Sequence, residues 1–429
     1  MDRARRGQGK EPRGERVARA MRSTVSKTWF ILSKKYSLPY NAPQKDVVLA
    51  YSFVWLTGKG TAVPSVTAGY VAALIAMGHR VTVLDADECA AQGRNVFVEA
   101  IEKAAPAAVF GYGMLPILET DTPANFFEHK RIPYVSLFYD DPEFYAGIFT
   151  EARLRELIAS PYFCATASDR IYVDVLKQHG FSRVEWLPLA TDPALFAGRQ
   201  EARFETAAAF VGTLSQTPQT LHDARAAKFA SSPALNRCLD KIVSSPSVYR
   251  ACEEYLSDVP RLTRAGLFRW AAEEASLLAR LRTVAALATT EIAVYGNDVW
   301  RDCLPKGAVH KGLLDYAKDA PALYASAKVN LNVTHPQLVS TVNQRVFDVA
   351  AAGGFSLNDE REDLKRFFGD AAVSYRGEKD AADKALYFSK HDNERRERAD
   401  AMRKVTVAEH TWAHRTEALL SFLREQKIL

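Results

Sequence analysis

From about residue 43 the chain alternates short apolar runs with longer stretches of helical period. "KDVVLAYSFVW" reads as a first buried strand ending near Tyr51, and "TAGYVAALIAMGHRVTVLDAD" as a helix, a glycine stop at Gly78 and a second strand. The pattern continues with a helix near Arg94 to Ala104, strands "AAVFGYG" and "IPYVSLFYDD", and a helix from about Ile148 to Ala159. Strand "YFCATAS", helix "DRIYVDVLKQHGF" and strand "RVEWLPL" follow. Apolar runs that alternate with helical patterns imply a parallel, doubly wound α/β sheet. The first domain is therefore expected over 43–195.

A polar, proline-containing stretch, "LATDPALFAGRQEARFET", then reads as a linker over about 196–206. A second alternation begins at strand "AAAFVGT", is interrupted by largely helical sequence over about 216–289, and resumes at "EIAVYGND". Strand "GAVHKG", helix "APALYASA", strand "KVNLNV", a further helix, and strands "GFSLND" and "AVSY" complete a second domain over 207–390. Residues 391–429 are charged and helical and read as structural.

Composition narrows this only slightly. Of the residues, 48% are hydrophobic and 25% charged, as in globular proteins. Met1 to Arg22 holds eight basic residues against three acids, a net of +5 that equals the charge of the whole chain. Positive charge thus belongs to a tail, with a lead-in up to residue 42, and the folded body has no basic footprint for nucleic acid. At least 1–22 is expected to be disordered, with contact of the tail to an anionic membrane or to nucleic acid as the alternative. No apolar run approaches the roughly 20 residues of a spanning helix. The five cysteines include no C-x-x-C pair, so neither a disulfide framework nor a metal site is expected, and a cytoplasmic setting is the default. Oligomeric state is not legible.

The candidate chemistry concentrates in "KVNLNVTHPQLVSTVNQRVFDVAAAGGFSLNDE", Lys328 to Glu360. Val329, Leu331 and Val333 alternate with Asn330, Asn332 and Thr334, so one face of this strand is unusually polar for a parallel sheet. Asn332, Thr334 and His335 fall at its carboxyl end, where open α/β sheets bind ligands. The next helix offers amides to an anion, Arg345 adds a charged fork, and Asp348, about 4.5 Å further along the axis, suits a pair of ribose hydroxyls. An Arg345–Asp348 surface pair with Gly353-Gly354 as a C-cap explains the same residues. At this level both readings stand.

Together, "VNLNVT…NQRVFDVAAAGGFSLND", "FVGT", "IAVYGNDVW", "LPLATDPALF" and "AEHTWAHR" resemble the CgeB-like glycosyltransferases over most of Lys45 to Leu423. That resemblance implies a GT-B fold, two Rossmann-like domains facing a cleft, here with a helical insertion in the second. It also implies a nucleoside diphosphate sugar, a UDP-sugar first, bound mainly to the second domain, with no further cofactor. Gly212 and Thr213 would approach phosphate, Tyr295 and Gly296 would lie at the donor site, and His310, Lys311 and Gly312 would edge the nucleobase. Asp348 would hold the ribose, and a final helix with His410, Trp412 and Arg415 would brace the first domain. Two departures stand out: Asp348 replaces the family's usual Glu, and the earlier acid of an E-x7-E pattern falls at Ser340.

In the first domain Asp141-Pro142 reads as an N-cap with proline at the first helical position. Asp140 is left as a turn acid or as a general base toward an acceptor hydroxyl. Lys59 and Gly60 lie near the expected cleft as acceptor contacts. "GKGTAV" with Asp85 mimics a dinucleotide fingerprint, but a strand ending near Tyr51 leaves Gly58 too late for the tight turn. "DAD" at Asp85 to Asp87 reads as acidic loop residues. The expectation is a glycosyltransferase acting on a glycan, surface polysaccharide or protein acceptor. The alternatives are a degenerate GT-B binding protein and, below it, an NAD-dependent oxidoreductase.

Overall fold

The computed structural model describes residues 50–58, 63–113, 123–145 and 158–429. The basic tail, the Lys59-Gly60 loop and the start of the helix expected from Ile148 lie outside these residues. The chain divides into two compact units, Met1–Pro106 and Ala107–Leu429. Its strands form two six-stranded sheets, ordered β2-β1-β3-β4-β5-β6 and β12-β11-β10-β7-β8-β9, with parallel pairing. This is the α/β architecture of two Rossmann-like domains expected from the alternation.

In the first unit β1 (Ser52–Thr57) pairs with β2 (Arg80–Asp85) from Ser52 opposite Arg80 to Thr57 opposite Asp85. Phe53, Val54, Trp55 and Leu56 are all fully buried, which is why this unbroken apolar run becomes strand. The strand thus ends at Thr57 rather than near Tyr51, so Gly58 follows it directly, and turn position does not exclude the dinucleotide fingerprint. Helix α1 (Val63–Ala76) stacks Tyr70 on Trp55 with ring centroids 5.0 Å apart. Gly78, at φ 88°, turns the chain into β2. Asp85 ends β2 and its Oδ1 accepts from the Glu88 amide at 3.0 Å, while Asp87 lies in the first turn of α2 (Ala86–Gln92), so "DAD" is a strand end and a helix start rather than a loop. Helix α3 spans Arg94–Ala104.

The second unit begins with β3 (Ala108–Tyr112), α4 (Pro123–Lys130), β4 (Tyr134–Phe138) and β5 (Phe163–Ala167). Helix α5 (Arg170–His179) and β6 (Val184–Trp186) follow. Every residue of β3, β4 and β5 is buried. The second sheet opens at β7 (Thr206–Val211) and is interrupted by four helices: α6 (Pro218–Phe229), α7 (Pro233–Val243), α8 (Val248–Tyr255) and the long α9 (Arg261–Ala286). These share a core that includes Leu239, Ile242 and Phe268, and they bury Arg225, which donates to Glu274 and Asp240 at 2.7 Å each. Then come β8 (Ala293–Tyr295), α10 (Val299–Cys303), β9 (Val309–Gly312), α11 (Ala320–Ser326), β10 (Ala327–Asn332) and α12 (Gln344–Ala351). Strand β11 (Ser356–Asp359), α13 (Glu362–Phe368) and β12 (Val373–Tyr375) complete the sheet.

Helices α14 (Gly377–Lys390), α15 (Asp392–Glu409) and α16 (Trp412–Glu425) end the chain. Arg415 on α16 reaches the segment after β6, donating to the Pro188 carbonyl at 2.8 Å and to His410 Nδ1 at 2.7 Å. The Trp412 amide donates to the Thr191 carbonyl at 3.0 Å.

Burial, then the Arg415 guanidinium, depress His410 to about 3. Its folded value lies below the unfolded one, so its contribution to stability is present above about pH 6.5 and is lost as pH falls toward 3. We expect the parent to lose about 1 kcal/mol per unit between pH 6.5 and 5.5 from this site. His410→Gln should show a shallower loss in urea melts, and parallel curves would remove His410 as the cause.

Candidate functional site

The carboxyl end of β10 supplies the first polar groups. Asn330 is buried, and its amide donates to the carbonyls of Tyr324 at 3.0 Å and Phe355 at 3.2 Å, so it joins backbone segments. Asn332 is buried too, but its Oδ1 accepts from Arg345 at 3.0 Å and from Asn343 at 2.9 Å. That contact ties the strand end to the first turn of α12. The Thr334 amide donates to Asp359 at 2.9 Å, and His335 follows directly.

Arg345 does not stand alone. Arg280, from α9 of the inserted helices, donates to the Thr213 carbonyl in the loop after β7. Burial first, then the neighbouring Arg345 charge, push Arg280 down to about 10, so it stays protonated at neutral pH. The Nε atoms of both arginines are buried without a hydrogen-bond partner among the described residues. The two guanidiniums lie close enough to repel one another beside the N-terminus of α12, and each keeps an unfilled Nε–H. The sequence reading missed Arg280. Its signal was present: Arg280 lies between Leu277 and Val284, which are 2% and 0% exposed, on the buried stripe of a helix.

The loop after β7 is built to approach closely. A Cβ on Gly296 would meet the Gly212 carbonyl at 2.3 Å, and one on Gly212 would meet the Phe210 ring at 2.8 Å, so both glycines have a packing reason. Trp300 Nε1 donates to the Gly212 carbonyl at 2.8 Å, and Asn297 clamps both backbone groups of Leu214. Thr213 is exposed beside Arg280. Tyr295 is instead a core residue, packed edge-on against Phe204. His310 Nε2 donates to the Gly296 carbonyl at 3.1 Å; Lys311 is exposed and Gly312 has φ 81°.

Asp348 lies inside the protein, fully buried, which overturns the surface-pair reading. One carboxylate oxygen accepts from Thr191 at 2.6 Å and the other from Tyr316 at 2.7 Å. Burial raises its pKa to about 7 against these two bonds, and the arrangement presents no exposed oxygen to a ribose. Gly353 and Gly354 close α12 as a Schellman motif: the Gly354 amide donates to Val349 and the Gly353 amide to Ala350, with Gly353 at φ 76°. The C-cap reading of the glycines therefore holds.

Asp140 is exposed after β4, and its Oδ1 accepts from Gln337 at 3.0 Å. Asp141 is fully buried and caps the turn Pro142–Tyr145 through the Glu143 amide at 2.8 Å, the capping role expected of it. Lys59 and Gly60 lie outside the described residues.

A second residue missed from the sequence is Asp169. It caps α5 through the Ile171 amide at 3.1 Å. The same carboxylate also accepts from the amides of Val339, Ser340 and Thr341 at 2.7, 2.9 and 3.2 Å and from the Ser340 hydroxyl. Ser340, the expected position of the earlier acid, is thereby occupied with holding the loop.

Residues 275–421 match a family model described as "Glycosyl transferase-like". Among curated proteins no sequence matches. Three solved structures share the fold. Sucrose-phosphate synthase from Thermosynechococcus elongatus has a TM-score of 0.53 and 10% identity over 87% of this chain and 98% of its own. HepE of Anabaena, in complex with UDP and glucose, has a TM-score of 0.50 and 9% identity over 87% and 100%. An alpha,alpha-trehalose 6-phosphate synthase from Burkholderia multivorans has a TM-score of 0.50 and 10% identity over 88% and 99%. The fold is GT-B, two Rossmann-like domains with parallel sheets.

Both Asp169 oxygens face only donors, so Asp169→Asn places an NH2 group against an N–H or O–H. We expect a loss of about 2–4 kcal/mol in urea unfolding. A change under about 0.5 kcal/mol would show that the loop holds itself.

Proposed function

We propose that this protein is a glycosyltransferase that moves a sugar from a nucleoside diphosphate sugar to an acceptor hydroxyl on a glycan, a surface polysaccharide or a protein. The observation that carries the reading is the Arg280–Arg345 pair, two half-buried guanidiniums with unfilled Nε–H groups beside Thr213 and the first turn of α12. Such a pair offsets the charge that grows on a departing diphosphate, together with the amides of α12. The glycosyl transferase-like match over 275–421 includes both arginines. The HepE structure holds UDP and glucose, so UDP is the first diphosphate to test. The narrower CgeB-like assignment belongs to this proposal.

Around the pair, Thr213 and Gly212 would edge the phosphates, His310, Lys311 and Gly312 the base, and Asn332 would orient Arg345. Asp140 is the base toward the acceptor if the anomeric centre inverts; if it is retained, the donor phosphate receives the proton. Lys59 and Gly60 would complete the acceptor side. The reaction as proposed uses no metal. A second reading, a GT-B protein that binds nucleotide without catalysis, draws on the internal partners of Ser340 and Asp348, which leave neither position free for a sugar. Turnover or slow donor hydrolysis abolished by Arg345→Ala supports the enzyme. Tight binding with neither supports the binder.

Calorimetric titration of uridine and UDP tests the site itself. Arg280→Ala and Arg345→Ala should each weaken UDP about tenfold or more, the worth of one charge-assisted contact, and leave uridine unchanged. Equal affinities for UDP in all three proteins would remove the diphosphate site.

A further inference from the structure

Helix α9 carries a second polar group, this one toward the loop after β10. Glu273 lies two turns before Arg280, about 10 Å along the axis. Its carboxylate is 3.8 Å from His335 Nε2, and the two side chains are 48% and 20% exposed. His335 Nδ1 accepts from the Gln337 amide at 3.2 Å, so the proton of the neutral ring sits on Nε2, facing Glu273. The Glu273 carboxyl is held below its usual range by His335 first, against partial burial, with Arg280 and Arg269 adding to it. An ionised, half-open carboxylate on α9 and an imidazole N–H on the loop after β10 thus face each other two turns of helix from Arg280, which donates to the Thr213 carbonyl.

A carboxylate there repels a phosphate, whereas it accepts readily from neutral hydroxyls, and the imidazole supplies the complementary donor. The loop after β10 offers no acid of its own, since Val333 to Asn343 contain neither Asp nor Glu. We infer that Glu273 and His335 form the subsite for the hydroxyls of the donor's glycosyl group, which makes the inserted helix α9 a specificity-determining element as well as a phosphate contact. The inference rests on the donor site proposed above, and it assigns the pair to binding, with no proton transfer.

The test is calorimetric titration of the full chain and of Glu273→Gln and His335→Gln with UDP, UDP-glucose, GDP and GDP-mannose. Glu273 is half exposed, so its exchange should leave the melting temperature unchanged. For the nucleotide that binds, each variant should weaken the sugar nucleotide about tenfold and keep the bare diphosphate within about twofold. Equal weakening of both ligands, or no change in the sugar nucleotide, would overturn the subsite while leaving the diphosphate site intact. Failure of the parent to bind either diphosphate would overturn the donor site and this subsite together.

Discussion

The Asp169 carboxylate is fully buried, and five donors converge on it from two parts of the chain, the start of α5 and the loop after β10. A buried charge without such bonds would be prohibitively costly, so the loop has one arrangement in which three amides point inward. Neighbouring contacts agree with it: Tyr172 donates to the Gln337 carbonyl at 2.7 Å, and Arg170 pairs with Asp363 at 2.7 Å. With residues 337–341 set, α12 begins at a defined point. Arg345 then meets Asn332.

Helix α9 supplies the other side of the site by the same logic. Arg261 at its start pairs with Glu143, and Phe268 packs on Phe144 with centroids 5.7 Å apart. Further along, Glu274 answers buried Arg225 at 2.7 Å, and Trp270 packs edge-on to Phe229. A helix anchored at its start and along its middle delivers Arg280 to Thr213 with little freedom left to lose. Such preorganisation is what the proposed contact with developing charge would require of Arg280.

The elements were largely legible because strand burial writes itself as apolar runs: β3, β4 and β5 are buried throughout and were read correctly. The end of β1 was misplaced because the run through Val47 to Trp55 is longer than one strand and gives no internal boundary. At the site, the Arg345 position was readable from its place at a helix start. Asp348 was not, because its partners Thr191 and Tyr316 lie 157 and 32 residues away, and only tertiary packing turns the carboxylate inward. Nothing in the sequence around Asp169 shows that its lone pairs hold a loop 170 residues on, which is a property of the fold. Arg280 sat on an apolar stripe, a local conflict of the kind that marks functional positions.

The same conflict explains why the arginine pair points to a ligand rather than to stability. Two like charges brought together and partly desolvated raise the free energy of the empty protein, and burial together with Arg345 lowers the Arg280 pKa without reaching neutrality. A protein selected for stability alone would replace one of them by an apolar residue, as the flanking Leu277 and Val284 show the stripe can accommodate. Glu273 reduces the repulsion only partly, since its nearest partner is His335. In the proposed donor site the unfilled Nε donors of both guanidiniums would meet an acceptor carrying at least two negative charges, which satisfies the hydrogen bonds and the charge at once. A diphosphate has that charge, and its two phosphoryl groups can divide between the loop after β7 and the first turn of α12.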